Sequence, residues 1–194
     1  MSMRHGQAAI SRASVEQFLQ GLSRLARQYS RLYLAGEAAL VHLGLRPGTS
    51  NDIDVVIETS DEQEMHMALQ HCMQALRINI RFSSPEDIVP VPWQWNEQAR
   101  PIATYGSIET FYFDLPSLAL SKIALANERE LYDVRLMLQQ GVVSLDDLDN
   151  TYLEVQPRMG KKPYEHIDIP NFAKQYSIVR KWLVQRLQPE TARF

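Results

Sequence analysis

Hydrophobic positions along the chain recur in two periods, and the switches between them mark out predicted elements. Val15, Phe18, Leu22, Leu25 and Tyr29 fall on one helical face, and Ser14 with Gln17 in the capping-box position predicts where that helix starts. Residues Met1 to Ser14 read as a frayed end. Leu32, Tyr33, Leu34 and Ala35 form a short apolar strand that stops at Gly36, and Ala38 to Leu43 read as a short helix. The period then becomes two: Ile53, Val55 and Ile57 alternate with Asp52, Asp54 and Glu58 in a β-branched run, the pattern of a strand with one buried face. Ser60 and Gln63 repeat the capping signal, and Met65, Leu69, Cys72 and Leu76 form the next helical stripe.

Alternation returns at Ile78, Ile80 and Phe82, with Asn79 and Arg81 between them, until Pro85, Pro90 and Pro92 break the run. Trp93 and Trp95 behind these prolines read as closing an edge of the core, with base stacking as the alternative. After a turn at Gly106, Ile108, Thr110 and Tyr112 alternate with Glu109, Phe111 and Phe113. Pro116 suits the first turn of a helix that Leu118, Ala119, Leu120, Ile123, Ala124, Leu125 and Ala126 surround with apolar groups. Gly141 reads as a residue just past a helix end, Ser144 with Asp147 as the cap of a helix through Leu148 and Tyr152. Gln156 to Pro170 is a loop with basic residues, and Phe172, Tyr176, Val179, Leu183 and Leu187 stripe a closing helix. The elements predict an α/β (α+β) chain: a small mixed sheet flanked by helices over residues 1–114, and a helical C-terminal region, 115–194, packed on it.

Composition narrows the function classes. With 194 residues, 45% hydrophobic and 22% charged, the chain is long enough for a substantial core. A formal net charge of -3 gives no overall basic field for nucleic acid and leaves only a local basic groove open. The one cysteine, Cys72, has no intramolecular disulfide partner, and no Cys/His spacing suits zinc. No apolar run is long enough for a bilayer and the N-terminus lacks an apolar signal region, so the expected location is cytoplasmic, with no membrane partner.

The candidate chemistry lies between Arg31 and Glu58. Asp52 and Asp54 share strand parity, so their Cα atoms stand about 6.6 Å apart and their carboxylates can converge on a hard cation such as Mg2+ or Mn2+. Their mutual repulsion calls for a cation. A strand, a glycine turn and a helix precede them, a setting that suits phosphate, and Arg46 to Asn51 form the polar loop that returns to the Asp strand. The alternative for an Asp-x-Asp strand is a solvated sheet face.

The run LAGEAALVHLGLRPGTSNDIDVVI resembles the first two motifs of the DNA polymerase beta-type nucleotidyltransferase superfamily, most closely the AbiEii-type and related small bacterial nucleotidyltransferases of toxin–antitoxin and phage-defence systems. Downstream, Lys122 on its apolar helix, followed by Arg129, Glu130 and Asp133, is similar to the family's lysine and Arg-Asp-x-x-Asp-like element. The resemblance implies a nucleotidyltransferase fold and transfer of a nucleotide from an NTP to an RNA, such as tRNA, or to a protein hydroxyl. A cognate antitoxin is a further implied partner. Its implied catalytic set is Asp52, Asp54, Lys122 and Asp133, its nucleotide-binding set Gly36, Glu37, Ala38, Arg46 and Thr49, and its metal set Asp52, Asp54 and Glu109, the last a candidate third carboxylate. For Arg129 and Asp133 the alternative is a surface ion pair, and for Glu109 a solvated edge residue.

Two departures matter. Family turns are usually Gly-Gly or Gly-Ser, whereas here Glu37 follows Gly36 and Ala38 stands where a small hydroxylated residue is common. An unpaired Glu37 charge would repel a triphosphate, so the expectation is that Glu37 turns to a basic partner such as Arg46 or that nucleotide binds poorly. The same residue motivates the alternative function: a nucleotidyltransferase-fold binding or regulatory protein without transferase activity.

Overall fold

The computed structural model describes residues 9–187, and side chains among them to residue 185. The chain is mixed α/β, with a five-stranded mixed sheet and seven α-helices among the described residues. It divides into two compact units. The first holds the residues up to Ser84 together with Asn96–Phe113; the second holds Pro85–Trp95 and the residues from Asp114 onward.

The first unit contains α1 (Arg12–Leu25), β1 (Ser30–Leu34), α2 (Gly36–His42), β2 (Asp52–Thr59), α3 (Glu62–Leu76), β3 (Asn79–Phe82), β4 (Pro101–Tyr105) and β5 (Ile108–Tyr112). Its strands lie in the order β3-β2-β1-β5-β4. β1 runs antiparallel to β2 and parallel to β5, while β2 and β3 are parallel. The last pairing follows from connectivity, because a helix between consecutive strands carries the chain back to its starting edge. The end of central β1 is sealed: Leu32, Tyr33 and Leu34 are fully buried. In register, Leu32 faces Ile57 and Leu34 faces Val55, so these apolar residues and Ile53 line one side of the sheet. Val15, Phe18 and Leu22 of α1 and Met65, Leu69 and Cys72 of α3 are buried with them.

Helix starts differ from the sequence expectation by one to three residues. Ser11, not Ser14, caps α1; its side chain accepts from the Ser14 N–H, and the Ser14 hydroxyl accepts from the Ser11 N–H. Either serine can cap, and the reciprocal pair selects the earlier one. α1 also ends at Leu25, leaving Tyr29 outside it and 55% exposed. Asp61 rather than Ser60 caps α3, accepting from the Glu64 N–H at 2.8 Å. Ile10 is buried and its N–H donates to the Ser50 carbonyl at 2.7 Å, so the expected frayed end does not extend to it. Residues 1–8 of that segment lie outside the described residues.

The second unit is helical, with α4 (Leu115–Leu125), α5 (Glu128–Gln139), α6 (Leu145–Val155) and α7 (Ile169–Leu187). Asp114 caps α4, with Pro116 in its first turn, and Ser144 with Asp147 forms the expected capping box of α6. α4 packs against α5, α6, α7 and the short 3-10 turn Pro85–Asp87, which is why apolar residues surround it. Phe172, Tyr176, Val179 and Leu183 of α7 are buried as their stripe predicts; the Leu187 side chain lies outside the described residues. Trp93 does not close a core edge. It is 82% exposed, with the Arg158 guanidinium 4.7 Å from its ring centroid. No helix among the described residues is long and apolar enough to cross a membrane.

Burial of β1 sets a stability expectation. Leu34→Ala should lower the unfolding free energy by about 3 kcal/mol, and Met67→Ala, at an exposed position, by less than about 0.5 kcal/mol. Urea denaturation of the two variants checks the contrast.

Candidate functional site

β2 starts at the site. Asp52 is partly exposed and Asp54 buried, on the same side of the strand, because side chains two apart share a face. Gly36, where β1 gives way to α2, lies against Asp54. Its φ is +53, and a Cβ there would sit 2.1 Å from Asp54 Oδ2, so both the backbone conformation and the close approach demand glycine. The backbone closes the same junction, with the Ala35 N–H donating to the Asp54 carbonyl at 2.9 Å.

The charge that offsets the two aspartates comes from the neighbouring strand. The parallel register pairs Asp52 with Asn79 and Asp54 with Arg81. Arg81 Nε donates to Asp54 Oδ1 at 2.8 Å, Nη2 lies 2.8 Å from the same oxygen, and Nη1 lies 3.5 Å from Asp52 Oδ2. Asn79 Nδ2 donates to Asp52 Oδ1 at 3.1 Å. The hydrogen bond to Asp54 raises the Arg81 pKa above its ordinary value, with burial opposing, so the guanidinium stays charged. Arg81 and Asn79 escaped the sequence reading. Their shared parity was visible; what revealed their partners is the β2–α3–β3 connection, which makes the two strands parallel neighbours.

Glu37 takes the first of its two expected courses and pairs with Arg46, Nη1 donating at 2.7 Å. The Thr49 N–H and hydroxyl donate to the same carboxylate at 2.6 and 2.7 Å, and the Ser50 hydroxyl at 2.9 Å. Burial pushes the Glu37 pKa up, yet Thr49, Arg46 and Ser50 together outweigh it and hold the group down at about 2. Arg46 and Thr49, expected to bind nucleotide, thus spend these donors on Glu37 and hold the loop 46–51 to α2. Gly48 completes the fastening, since a Cβ there would meet the Ile10 carbonyl oxygen at 2.2 Å. Ala38 is buried in α2.

Glu109 is not beside Asp52 and Asp54. It pairs in register with Arg31, which lies opposite Glu58, four positions along β2 from Asp54. That is roughly 13 Å along the sheet, with β1 intervening. Its carboxylate accepts from the Tyr29 hydroxyl at 2.6 Å and lies 3.5 Å from Arg31 Nε. Parity alone cannot detect this, because Glu109 does share the face of the aspartates but sits at the other end. Among the described residues no group of three or more His, Cys, Asp or Glu side chains is placed to hold a metal ion. The pair itself suits a hard divalent cation: both ligands are carboxylates, Asp52 is not sealed from solvent, and Mg2+ ordinarily takes one or two carboxylates and fills its shell with water and phosphate oxygens.

Lys122 and Asp133 meet within the second unit. Both are buried, and Lys122 Nζ donates to Asp133 Oδ2 at 2.8 Å and also to Glu130. A lysine on an apolar helix needs a route to solvent, a carboxylate or a cleft, and this one finds two carboxylates and ties α4 to α5. No family model matches the chain, and no curated protein or solved structure matches it.

The Glu37 network has a pH signature. Its folded pKa lies below the ordinary value, so its contribution to stability is complete above the ordinary carboxylate pKa and drains away as pH falls toward about 2. Glu37→Gln should cost about 2 kcal/mol at neutral pH, and the gap to wild type should narrow below roughly pH 4 and close only as pH approaches about 2 in acid-dependent urea melts. Lys122→Met, which leaves Glu130 and Asp133 without their shared cation, should cost about 3 kcal/mol in the same measurement.

Proposed function

We propose that the chain is a divalent-cation-dependent nucleotidyltransferase of the DNA polymerase beta type, moving a nucleotide from an NTP to a hydroxyl of an RNA, such as tRNA, or of a protein, with the α–β phosphoanhydride bond broken and pyrophosphate leaving. The observation that carries this reading is the joint of the Asp52–Asp54 pair with the Gly36 turn, where the Asp54 carboxylate occupies the space of the missing Cβ. A solvated Asp-x-Asp strand has no need of a glycine pressed on it.

In this reading Asp52 and Asp54 hold Mg2+ or Mn2+. The bound cation supplies charge neutralisation for the triphosphate and lowers the pKa of the attacking hydroxyl. The chain's own part is positioning. β1 and β2 fix the two carboxylates on a buried sheet, Gly36 leaves them room, and Asn79 orients Asp52. Glu37, turned to Arg46, Thr49 and Ser50, presents no unpaired charge to an incoming phosphate. Lys122, whose ammonium is already offset by Glu130 and Asp133, serves as a brace of the second unit.

A second reading, nucleotide binding without transfer, is favoured by the same Glu37 network, since the donors of the loop 46–51 that face Glu37 are engaged by it and not by phosphate. Labelled transfer separates the two: incubate the protein with tRNA and each NTP carrying a labelled α-phosphate. Label retained on the acceptor supports transfer, and binding without label supports the second reading.

Binding itself is tested by melting. At a Mg2+·NTP concentration a hundredfold above Kd, wild type should gain about 2.7 kcal/mol of stability, and Asp54→Asn should lose most of that gain. An equal ligand-induced shift in both proteins removes Asp54 from the site.

A further inference from the structure

We propose that Arg81 is a phosphate-binding residue held in reserve: its guanidinium occupies the cation position at Asp52 and Asp54 and passes to the nucleotide's phosphates when a divalent cation takes the two carboxylates. The proposal rests on the nucleotide reading above.

The sheet puts the competitor in place. Parallel register sets Arg81 beside Asp54, and the guanidinium spans both aspartates, at 2.8 Å from Asp54 Oδ1 and 3.5 Å from Asp52 Oδ2. A divalent cation needs these oxygens. With Arg81 still seated, two cationic groups would crowd one pair of carboxylates, and the like charges would repel. Either the metal stays out or the guanidinium leaves.

It is free to leave. The Arg81 side chain is 56% exposed, and β3, at the end of the strand order, has a neighbour on one side only among the described residues. Asn79 and Phe82 beside it are also exposed, so a turn of the Arg81 side chain opens no core. A guanidinium is well suited to the next role, because its planar fork of donors matches phosphate oxygens and it carries its charge at every accessible pH. A triphosphate bound through the same cation would offer its oxygens to the displaced guanidinium.

Metal and nucleotide therefore help each other. Bare cation must evict Arg81 with nothing to receive it, while cation with nucleotide gives the displaced charge a partner, and such coupling acts equally in both directions. The experiment is calorimetric titration of the full chain and of Arg81→Gln and Arg81→Lys, using two probes: Mn2+ alone, and Mn2+ with α,β-methylene-ATP. Arg81→Gln should bind bare Mn2+ about tenfold more tightly and the Mn2+·nucleotide complex about tenfold more weakly, opposite signs that general loosening of the fold does not produce. Arg81→Lys, which keeps charge without the fork, should move both affinities the same ways by less, and it carries the test if the glutamine variant does not fold. Both affinities moving together, or bare Mn2+ binding unchanged while wild type binds the nucleotide complex, overturns the proposal and leaves the functional reading standing. Failure of wild type to bind either probe overturns both.

Discussion

Two carboxylates two residues apart on one strand repel each other, and the first unit is arranged around offsetting that repulsion. Asp52 and Asp54 are kept on one side of β2 by the strand period, next to a buried sheet where solvent screening is weak. Three features answer to this. Gly36 yields its side-chain space to the Asp54 carboxylate, β3 lies parallel to β2 so that Arg81 comes into register, and Asn79 donates to Asp52. β3 itself buries little, with its four residues exposed or partly so, and its hold on the sheet rests on the ladder to β2 and on this ion pair.

The same unit contains a carboxylate in the opposite circumstance. Glu37 stands in the first turn of α2, where a negative charge suits the helix dipole, and receives donors from Arg46, Thr49 and Ser50. It fixes the loop that delivers the chain into β2, and Ile10, through its N–H to Ser50 and its contact with Gly48, fastens the loop from its other side. The position of Asp52 thus depends on residues 10, 37 and 46–50 as much as on the strand.

Most of the elements were legible because their periods are clean. The alternation at Ile53–Ile57 and Ile108–Phe113, the stripe from Phe172 to Leu183 and the Ser144–Asp147 box all correspond to observed elements. Cap positions were less so, since Ser11 and Ser14, or Ser60 and Asp61, are chemically equivalent candidates and geometry chooses between them. What periodicity could not supply was register. Glu109 and Arg81 each alternate correctly in their strands, yet one lies at the far end of the sheet from Asp54 and the other touches it. Strand order and direction decide that, and they come from connections between elements. Trp93 shows a different limit, as neighbouring prolines say that the chain turns but not which way the ring faces.

Three carboxylate clusters differ in two quantities, donors per charge and access to solvent. Glu37 has three donors on Oε1 and the Ser50 hydroxyl on Oε2, so adding a ligand there would first require breaking bonds already made. Glu130 and Asp133 share Lys122, but Asp133 and Lys122 are sealed from solvent, and a newcomer would bear the full cost of desolvation. Asp52 and Asp54 also share one cation, yet that cation is on an exposed edge strand and Asp52 is open to water. Excess negative charge with an accessible approach favours a cation. Of the three clusters only the β2 pair joins a shared cation on an exposed edge strand with an open approach to solvent.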